Sequence, residues 1–294
     1  MDSERIRGGA VKTWKIGDVT ISRVIEVAST GKMTWILPDA TAESLLKVPW
    51  CQPDFVTEKG EATMNVQALL IESQGERIVV DTCVGNDKNL PDMKYWHNKT
   101  GGTFLKDLAA AGFAADRVDK VLCTHLHVDH VGWNTRKEDG RWVPTFENAR
   151  HLWNRDEYDH WVREGQAEFG DVVGESVIPI FEADLVDFVE ADSKVTDEVA
   201  LEPTFGHTPG HVSVHIRSRG EEAVITGDLM HHPVQFARPE WRSSADWNPD
   251  QAEFTRRTFL ERYADTPTLI IGTHFAGPSA GRVVRDGDVW RLDY

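Results

Sequence analysis

The sequence predicts an α/β fold, and three observations carry the prediction. Apolar runs of strand length alternate with segments of helical period along most of the chain. Between residues 77 and 123 the order is strand, helix, strand, a βα unit. The chain has 294 residues, 40% hydrophobic and 27% charged. One compact unit of that size buries about 75% of its extended-chain surface, enough for a substantial core. The length permits one large domain or two small ones.

Residues 11–27 alternate as a hairpin does, with Thr13-Trp14-Lys15-Ile16, a Gly17-Asp18 turn, and a second strand over 19–25. A loop follows to about Pro38. Thr41 is placed to cap a short helix over 41–46, and Pro49, Trp50 and Pro53 then break regularity. Trp35, Ile36, Leu37 and Trp50 make this stretch apolar but aperiodic, so 1–60 reads as a hairpin followed by a segment that is either core or pocket wall. Strands over 66–72 and 77–81 flank a Ser73-Gln74-Gly75-Glu76 turn. A helix over 103–113 sets Leu105, Leu108 and Ala109 on one face and has Gly112 near its end.

The apolar run 118–123 is the next strand, and 149–153 another, after which Asn154 caps a helix over 155–164. The stretch 165–184 is polar and poorly periodic, and 154–184 is an insertion that serves as lid, dimer contact or plain surface. Strands near 185–189, 199–203, 212–217 and 223–226 follow. A helix over 250–263, a strand over 269–271 and a hairpin about Asp286-Gly287 close the chain.

The formal net charge of -16 argues against a nucleic-acid partner, which calls for clustered Lys and Arg. Cys51, Cys83 and Cys123 form no Cys-x-x-Cys pair and suggest no disulfide framework. The N-terminus lacks an apolar signal region, and no apolar stretch is long enough to span a bilayer. A cytoplasmic protein without a membrane partner is the expectation.

The chemistry concentrates in Thr124-His125-Leu126-His127-Val128-Asp129-His130. Behind a strand, alternating side-chain direction aims His125 and His127 the same way. Asp129 and His130 lie on the turn beyond, free to face a second point. Imidazole and carboxylate are ligands of zinc, manganese and iron, and this spacing suits two adjacent ions better than one.

His125-x-His127-x-Asp129-His130 resembles the signature of the metallo-β-lactamase-fold hydrolases. Three later stretches resemble the rest of that family's pattern in order: Phe205-Gly206-His207-Thr208-Pro209-Gly210-His211, Thr226-Gly227-Asp228 and Gly272-Thr273-His274. Asp81-Thr82-Cys83 resembles the family's strand-end Asp-Thr-Gly, with Cys83 in place of Gly. The resemblance implies a four-layer αββα sandwich, and a single domain spanning 1–294 is expected. It assigns His125, His127 and His207 to one metal, Asp129, His130 and His274 to the other, and Asp228 to both. His211 is expected behind the ligands, and His97, His151, His160, His215 and His232 have no motif position.

The resemblance further implies two divalent ions, zinc foremost, with manganese, cobalt or iron as alternatives. A hydroxide shared by ions about 3.5–4 Å apart would attack an ester, with Asp129 relaying a proton. His127 stands where redox-active di-iron relatives carry Glu, which argues against electron transfer. Only 20 residues follow His274, leaving no evident glutathione-binding segment. The pattern is most similar to the branch of quorum-quenching lactonases and methyl parathion hydrolases. The substrate expected is a small lactone or carboxylic ester, with a phosphotriester as the alternative. A glyoxalase-II-like thioesterase, a β-lactamase and a non-enzymatic binding module rank lower.

His231 stands three residues after Asp228, where acyl-homoserine lactonases place a Tyr against the substrate carbonyl. It is expected to act on the substrate, and Trp133 and Phe275 to line the pocket, with core packing as their alternative. A homodimer is compatible with the 154–184 insertion.

Overall fold

The structure, a computed structural model, describes residues 12–165 and 169–294. The chain opens with strands β1 (Thr13–Ile16) and β2 (Val19–Gly31), helix α1 (Ala42–Leu46), and strands β3 (Ala62–Ser73) and β4 (Glu76–Val80). Helix α2 (Phe104–Ala110), strand β5 (Lys120–Leu122) and the single turn α3 (Val128–Val131) follow. Next come the hairpin β6 (Thr135–Glu138) and β7 (Arg141–Pro144), strand β8 (Arg150–Asn154), helices α4 (Arg155–Glu164) and α5 (Ile178–Glu182), and strand β9 (Val186–Val189). The remainder comprises β10 (Val199–Pro203), β11 (Val212–Ser218), β12 (Glu221–Ile225), α6 (Val234–Ala237) and α7 (Pro249–Tyr263), then β13 (Leu269–Ile271), β14 (Ala280–Asp286) and β15 (Val289–Asp293).

Two sheets hold these strands, a seven-stranded one ordered β1-β2-β3-β4-β5-β8-β9 and a six-stranded one ordered β10-β11-β12-β13-β14-β15. Strand period 2 builds the layers. Leu69 and Ile71 of β3, Ile78 and Val80 of β4 and Leu122 of β5 join Val214, Ile216, Ala223, Ile225 and Ile271 of the other sheet in one buried cluster. The alternate residues Ala68, Leu70, Val79 and Val121 turn the other way and pack with Phe104, Leu108, Tyr158 and Trp161 of α2 and α4. On the far side Val224 and Ile270 meet Phe259, Leu260 and Tyr263 of α7. Helix, sheet, sheet, helix is the four-layer αββα order, and each layer boundary is an apolar face removed from water.

The pairing of β4, β5, β8 and β9 is parallel, as is that of β12 with β13. The chain therefore leaves β5, β12 and β13 at one edge of the sandwich, and sites gather at the carboxyl ends of such strands.

The early turns match expectation. Gly17-Asp18 closes β1 on β2, with Gly17 at φ 56°, and the Thr41 hydroxyl accepts from Ser44 N at 3.1 Å. Several boundaries differ. Strand β2 runs to Gly31, not 25, because β3 extends back to Ala62 and pairs with it across a bulge between Ile25 and Val27. The last hairpin turns on Gly287-Asp288, one residue later than expected. The stretch 165–184 holds a π-helical turn over Val173–Val177 and then α5. The β6–β7 hairpin was not anticipated, although Asp139-Gly140, with φ of 48° and 79°, is a strong hairpin signal. Val11, the first residue of the expected hairpin, lies outside the described residues. Among the described residues no helix is long and apolar enough to cross a membrane.

Candidate metal centre

Four loops at the sandwich edge bring the histidines together. Beyond β5, Thr124 N donates to Asp81 Oδ1 at 2.8 Å, and the Thr124 hydroxyl meets the same carboxylate. That anchor turns the chain so that His125 and His127 point to one side: His125 Nε2 lies 3.1 Å from His127 Nδ1. The β10–β11 loop adds His207, whose Nε2 is 3.0 Å from His127 Nδ1. Donors about 2.0–2.1 Å from a tetrahedral zinc stand ~3.3 Å apart, so this spacing is that of one ion's ligands.

The second cluster is assembled differently. Helix α3 winds Asp129 and His130 the opposite way, and the loop after β13 supplies His274. His130 Nε2 and His274 Nε2 are 3.3 Å apart, with Asp129 Oδ1 3.7 Å from the first and Oδ2 3.6 Å from the second. Asp129 is 17% exposed, whereas the imidazoles are essentially buried.

Asp228 stands between the clusters. Its Oδ1 is 3.2 Å from His130 Nε2 and 3.0 Å from His274 Nε2; its Oδ2 is 3.5 Å from His207 Nε2 and 3.9 Å from His125 Nε2. Oδ1 is buried and has no aligned hydrogen-bond donor among the described residues. A carboxylate oxygen in that state calls for a cation. The donor set fits two divalent ions, with one Asp228 oxygen facing each histidine cluster.

The electrostatics agree. Burial, reinforced by the neighbouring imidazoles, holds His125 and His127 well below the usual histidine range, which leaves neutral lone pairs for a metal. At His274 burial opposes charge, yet the negative charges of Asp228 and Asp129 push the ring up to about 9. His130 is raised well above its ordinary value against the same opposition, by Asp228, Asp81 and Asp129. Positive charge is stabilised between these carboxylates, whether it arrives as protons or as metal.

The metallo-beta-lactamase superfamily pattern matches residues 63–274. The chain belongs to the metallo-β-lactamase superfamily. Solved structures agree on the fold. AidC, a dizinc quorum-quenching lactonase in complex with a product, N-hexanoyl-L-homoserine, aligns over 96% of both chains at 21% identity and TM-score 0.77. The hydrolase AbOPH aligns over 98% of this chain and 99% of its own, at 25% identity and TM-score 0.77. A probable metal-dependent hydrolase from Staphylococcus aureus aligns over 95% and 98%, at 20% identity and TM-score 0.73. Comparison with curated proteins finds no match. Fold and donor clusters together make the chain a metal-dependent hydrolase of the metallo-β-lactamase superfamily.

Residues behind the ligands complete this metallo-β-lactamase site. His211 accepts from Asp228 N at 2.9 Å and meets the Thr204 hydroxyl at 2.8 Å; burial pushes it down to about 3, so the ring stays a neutral acceptor. Only glycine serves at Gly227, where φ is 55° and a Cβ would lie 2.6 Å from His211 Nε2. Asp81 accepts from His130 Nδ1 at 2.9 Å. Asp246 lies 2.9 Å from His207 Nδ1 and is held below the ordinary carboxylate range: burial opposes this, and the His207 hydrogen bond with the nearby positive groups outweighs it. Glu157 of α4 accepts from Leu126 N, Gly210 N and Trp161 Nε1, tying two ligand loops together. The strand-end Asp-Thr stretch pointed towards Asp81. Asp246 sits in an aperiodic loop with no sequence signal, and Glu157 reads as an ordinary helix residue.

His231 lies beside the centre, its Nε2 3.2 Å from Asp228 Oδ2 and its ring 3% exposed. Its Nδ1 is buried without a partner among the described residues. Trp133 and Phe275 are placed in the core instead of a pocket wall. Trp133 stacks on Phe104 and gives its Nε1–H to Glu26 at 2.6 Å, which satisfies its one polar atom inside. Phe275 is fully buried between Phe55 and Phe236. Of the 1–60 segment, Ile36 and Leu37 are core, while Trp35 is 56% exposed. The 154–184 stretch does border the site, since the rings of Trp161 and Phe169 lie 5.0 and 5.9 Å from His127. His232 donates from Nε2 to Phe55 O and accepts from Val234 N at Nδ1.

Proposed function

We propose that this single-domain protein is a dinuclear metal-dependent hydrolase that opens lactones or cleaves small carboxylic esters. One observation carries the reading: the two oxygens of Asp228 divide between two histidine clusters, each with the spacing of one ion's ligands. The lactone preference draws support from AidC, described as a dizinc lactonase and sharing this chain's length and fold.

Bound divalent ions supply Lewis-acid chemistry, polarising an ester carbonyl and bringing the pKa of water towards about 7. His125, His127 and His207 would hold one ion, zinc being the best match to this imidazole-rich set; Asp129, His130 and His274 would hold the other. Asp228, between the two clusters, would offset their repulsion. Asp129, with one face towards solvent, takes up and passes on the proton that the reaction releases. His231, beside Asp228 Oδ2, donates a hydrogen bond to the developing oxyanion or protonates the departing alkoxide.

The test is purified protein reconstituted with defined zinc, manganese or cobalt and assayed on γ- and δ-lactones, aryl esters, S-lactoylglutathione and a phosphotriester. Two metals per chain and the highest kcat/KM on a lactone or aryl ester are expected. One metal or fewer at full activity overturns the dinuclear reading, and a higher kcat/KM on the thioester or phosphotriester overturns the substrate class.

A further inference from the structure

The imidazoles of the two clusters differ in what holds the ring from behind. In the second cluster His274 Nδ1 lies 2.8 Å from the carbonyl of Asn65, and His130 Nδ1 2.9 Å from Asp81 Oδ2. In the first, His125 Nδ1 meets the Thr124 hydroxyl at 3.1 Å, and His207 Nδ1 lies 2.9 Å from Asp246 Oδ1. Each cluster thus has one ring backed by a carboxylate. The two carboxylates reach the site from different parts of the fold, Asp81 just after β4 and Asp246 from the loop between α6 and α7.

A carboxylate in that position fixes the Nδ1–H tautomer, aims the Nε2 lone pair forward and raises its basicity. Asp246 is itself held in place. Its side chain is fully buried, and its Oδ2 accepts from Ser243 N at 2.9 Å. The same loop is stitched to the His207 loop by Trp247 N to His207 O at 2.8 Å and Asn248 N to Gly206 O at 2.9 Å.

Behind Asp246 sits Arg256, also fully buried. It donates to the carbonyls of Leu229, Pro239 and Trp241, so the segment leaving Asp228 and the loop backing His207 share one anchor. A plain structural ion pair is the competing account. An Arg–carboxylate pair formed for its own stability is typically bidentate, with contacts of about 2.7–2.9 Å. Here Nη2 stands 3.9 Å from Asp246 Oδ2 and has no hydrogen-bond partner among the described residues. The short contact of Asp246 goes to the imidazole.

We propose that Asp246 is a positioning residue for the metal subsite of His125, His127 and His207, with Arg256 anchoring the loop that carries it through the carbonyls of Pro239 and Trp241. It sets the affinity of that subsite separately from the one Asp81 braces. The inference rests on the dinuclear reading above.

The test measures metal retention. Zinc-loaded protein is dialysed against a graded chelator series, and metals per chain are counted by elemental analysis. Asp246→Asn keeps the shape and an acceptor oxygen but removes the charge. One of the two metals should leave at 10–100-fold weaker chelation than in the unsubstituted protein, the other holding as before. In a His207→Ala background the same change should add nothing, because its route to the metal is gone. An unchanged titration, or an equal loss in the His207→Ala background, overturns the proposal. A second measurement requires no variant: 15N-histidine NMR of the zinc-loaded protein should show His207 protonated at Nδ1, with that proton protected from exchange. A His207 ring without that proton overturns the proposal as well. If the unsubstituted protein itself fails to hold two metals, the dinuclear reading fails. Two metals with an unaffected Asp246→Asn sink this inference alone.

Discussion

The imidazole of His231 and the carboxylate of Asp228 touch, yet their loss should read out differently. Asp228→Asn leaves both clusters facing an amide that cannot offset two cations, so turnover should fall and at least one metal should be lost on dialysis. His231→Ala should keep both metals and lose about 10²–10³-fold in kcat, the usual cost of one oxyanion donor. Steady-state kinetics beside metal analysis separates the two: a His231→Ala protein with wild-type kcat places the donor elsewhere. His232→Ala is the control. Its ring is bonded to Phe55 O and Val234 N inside the core, so it should lower stability, by about 1–3 kcal/mol, and leave kcat close to wild type.

At the scale of elements, helix α4 is the clamp on the ligand loops. Asn154 caps it by accepting from Asp156 N and Glu157 N, and Glu157 then reaches Leu126 N in one loop and Gly210 N in another. Glu157→Gln turns one acceptor oxygen into an NH2 group that faces an N–H. We expect a loss of about 1–3 kcal/mol in denaturant unfolding, together with weaker metal retention, because the two loops carry the clustered His125, His127 and His207. Asn154→Ala should cost only about 1 kcal/mol and leave the metals in place. If Glu157→Gln loses stability but holds metal as tightly as before, the clamp is structural alone. Little of this element's role was legible beforehand: the Asn154 cap follows from residue type and position, whereas Glu157 has nothing local to set it apart from Asp156.

Across the whole molecule, buried histidines make acid stability a property of the fold. His151 lies in the core of the first sheet with neither ring nitrogen partnered among the described residues, and burial pushes it down to about 3. Burial likewise takes His232 to about 4. An unfolded histidine titrates near 6.5. Between about 6.5 and these folded values the unfolded chain binds more protons, so stability is present above 6.5 and is lost as pH falls through the window down to 4 and 3. His151→Leu should flatten that decline in urea titrations taken from pH 7 to pH 4. An unchanged slope would show that this ring does not contribute. Metal acts at the same scale: at 100 times its Kd a ligand adds about 2.7 kcal/mol, so chelation should lower Tm and added zinc should restore it.

The sequence alone determined the layers and the histidines and aspartates that cluster at their edge. Strand period and the βα order are local, and His125, His127, Asp129 and His130 fall within six residues of one another, so chain connectivity already holds them close. His207, Asp228 and His274 are far apart in sequence but carry enough local pattern to be read. What the tertiary structure decided is what stands behind and beside them. Asp246 meets His207 across 39 residues, and Glu157 meets Gly210 across 53; a lone acid in a loop or helix announces no partner until packing brings one. Trp133 and Phe275 follow the ligand motifs directly, yet their rings turn inward, because the face of an aromatic residue is chosen by the neighbours that bury it and not by its distance along the chain from a metal ligand.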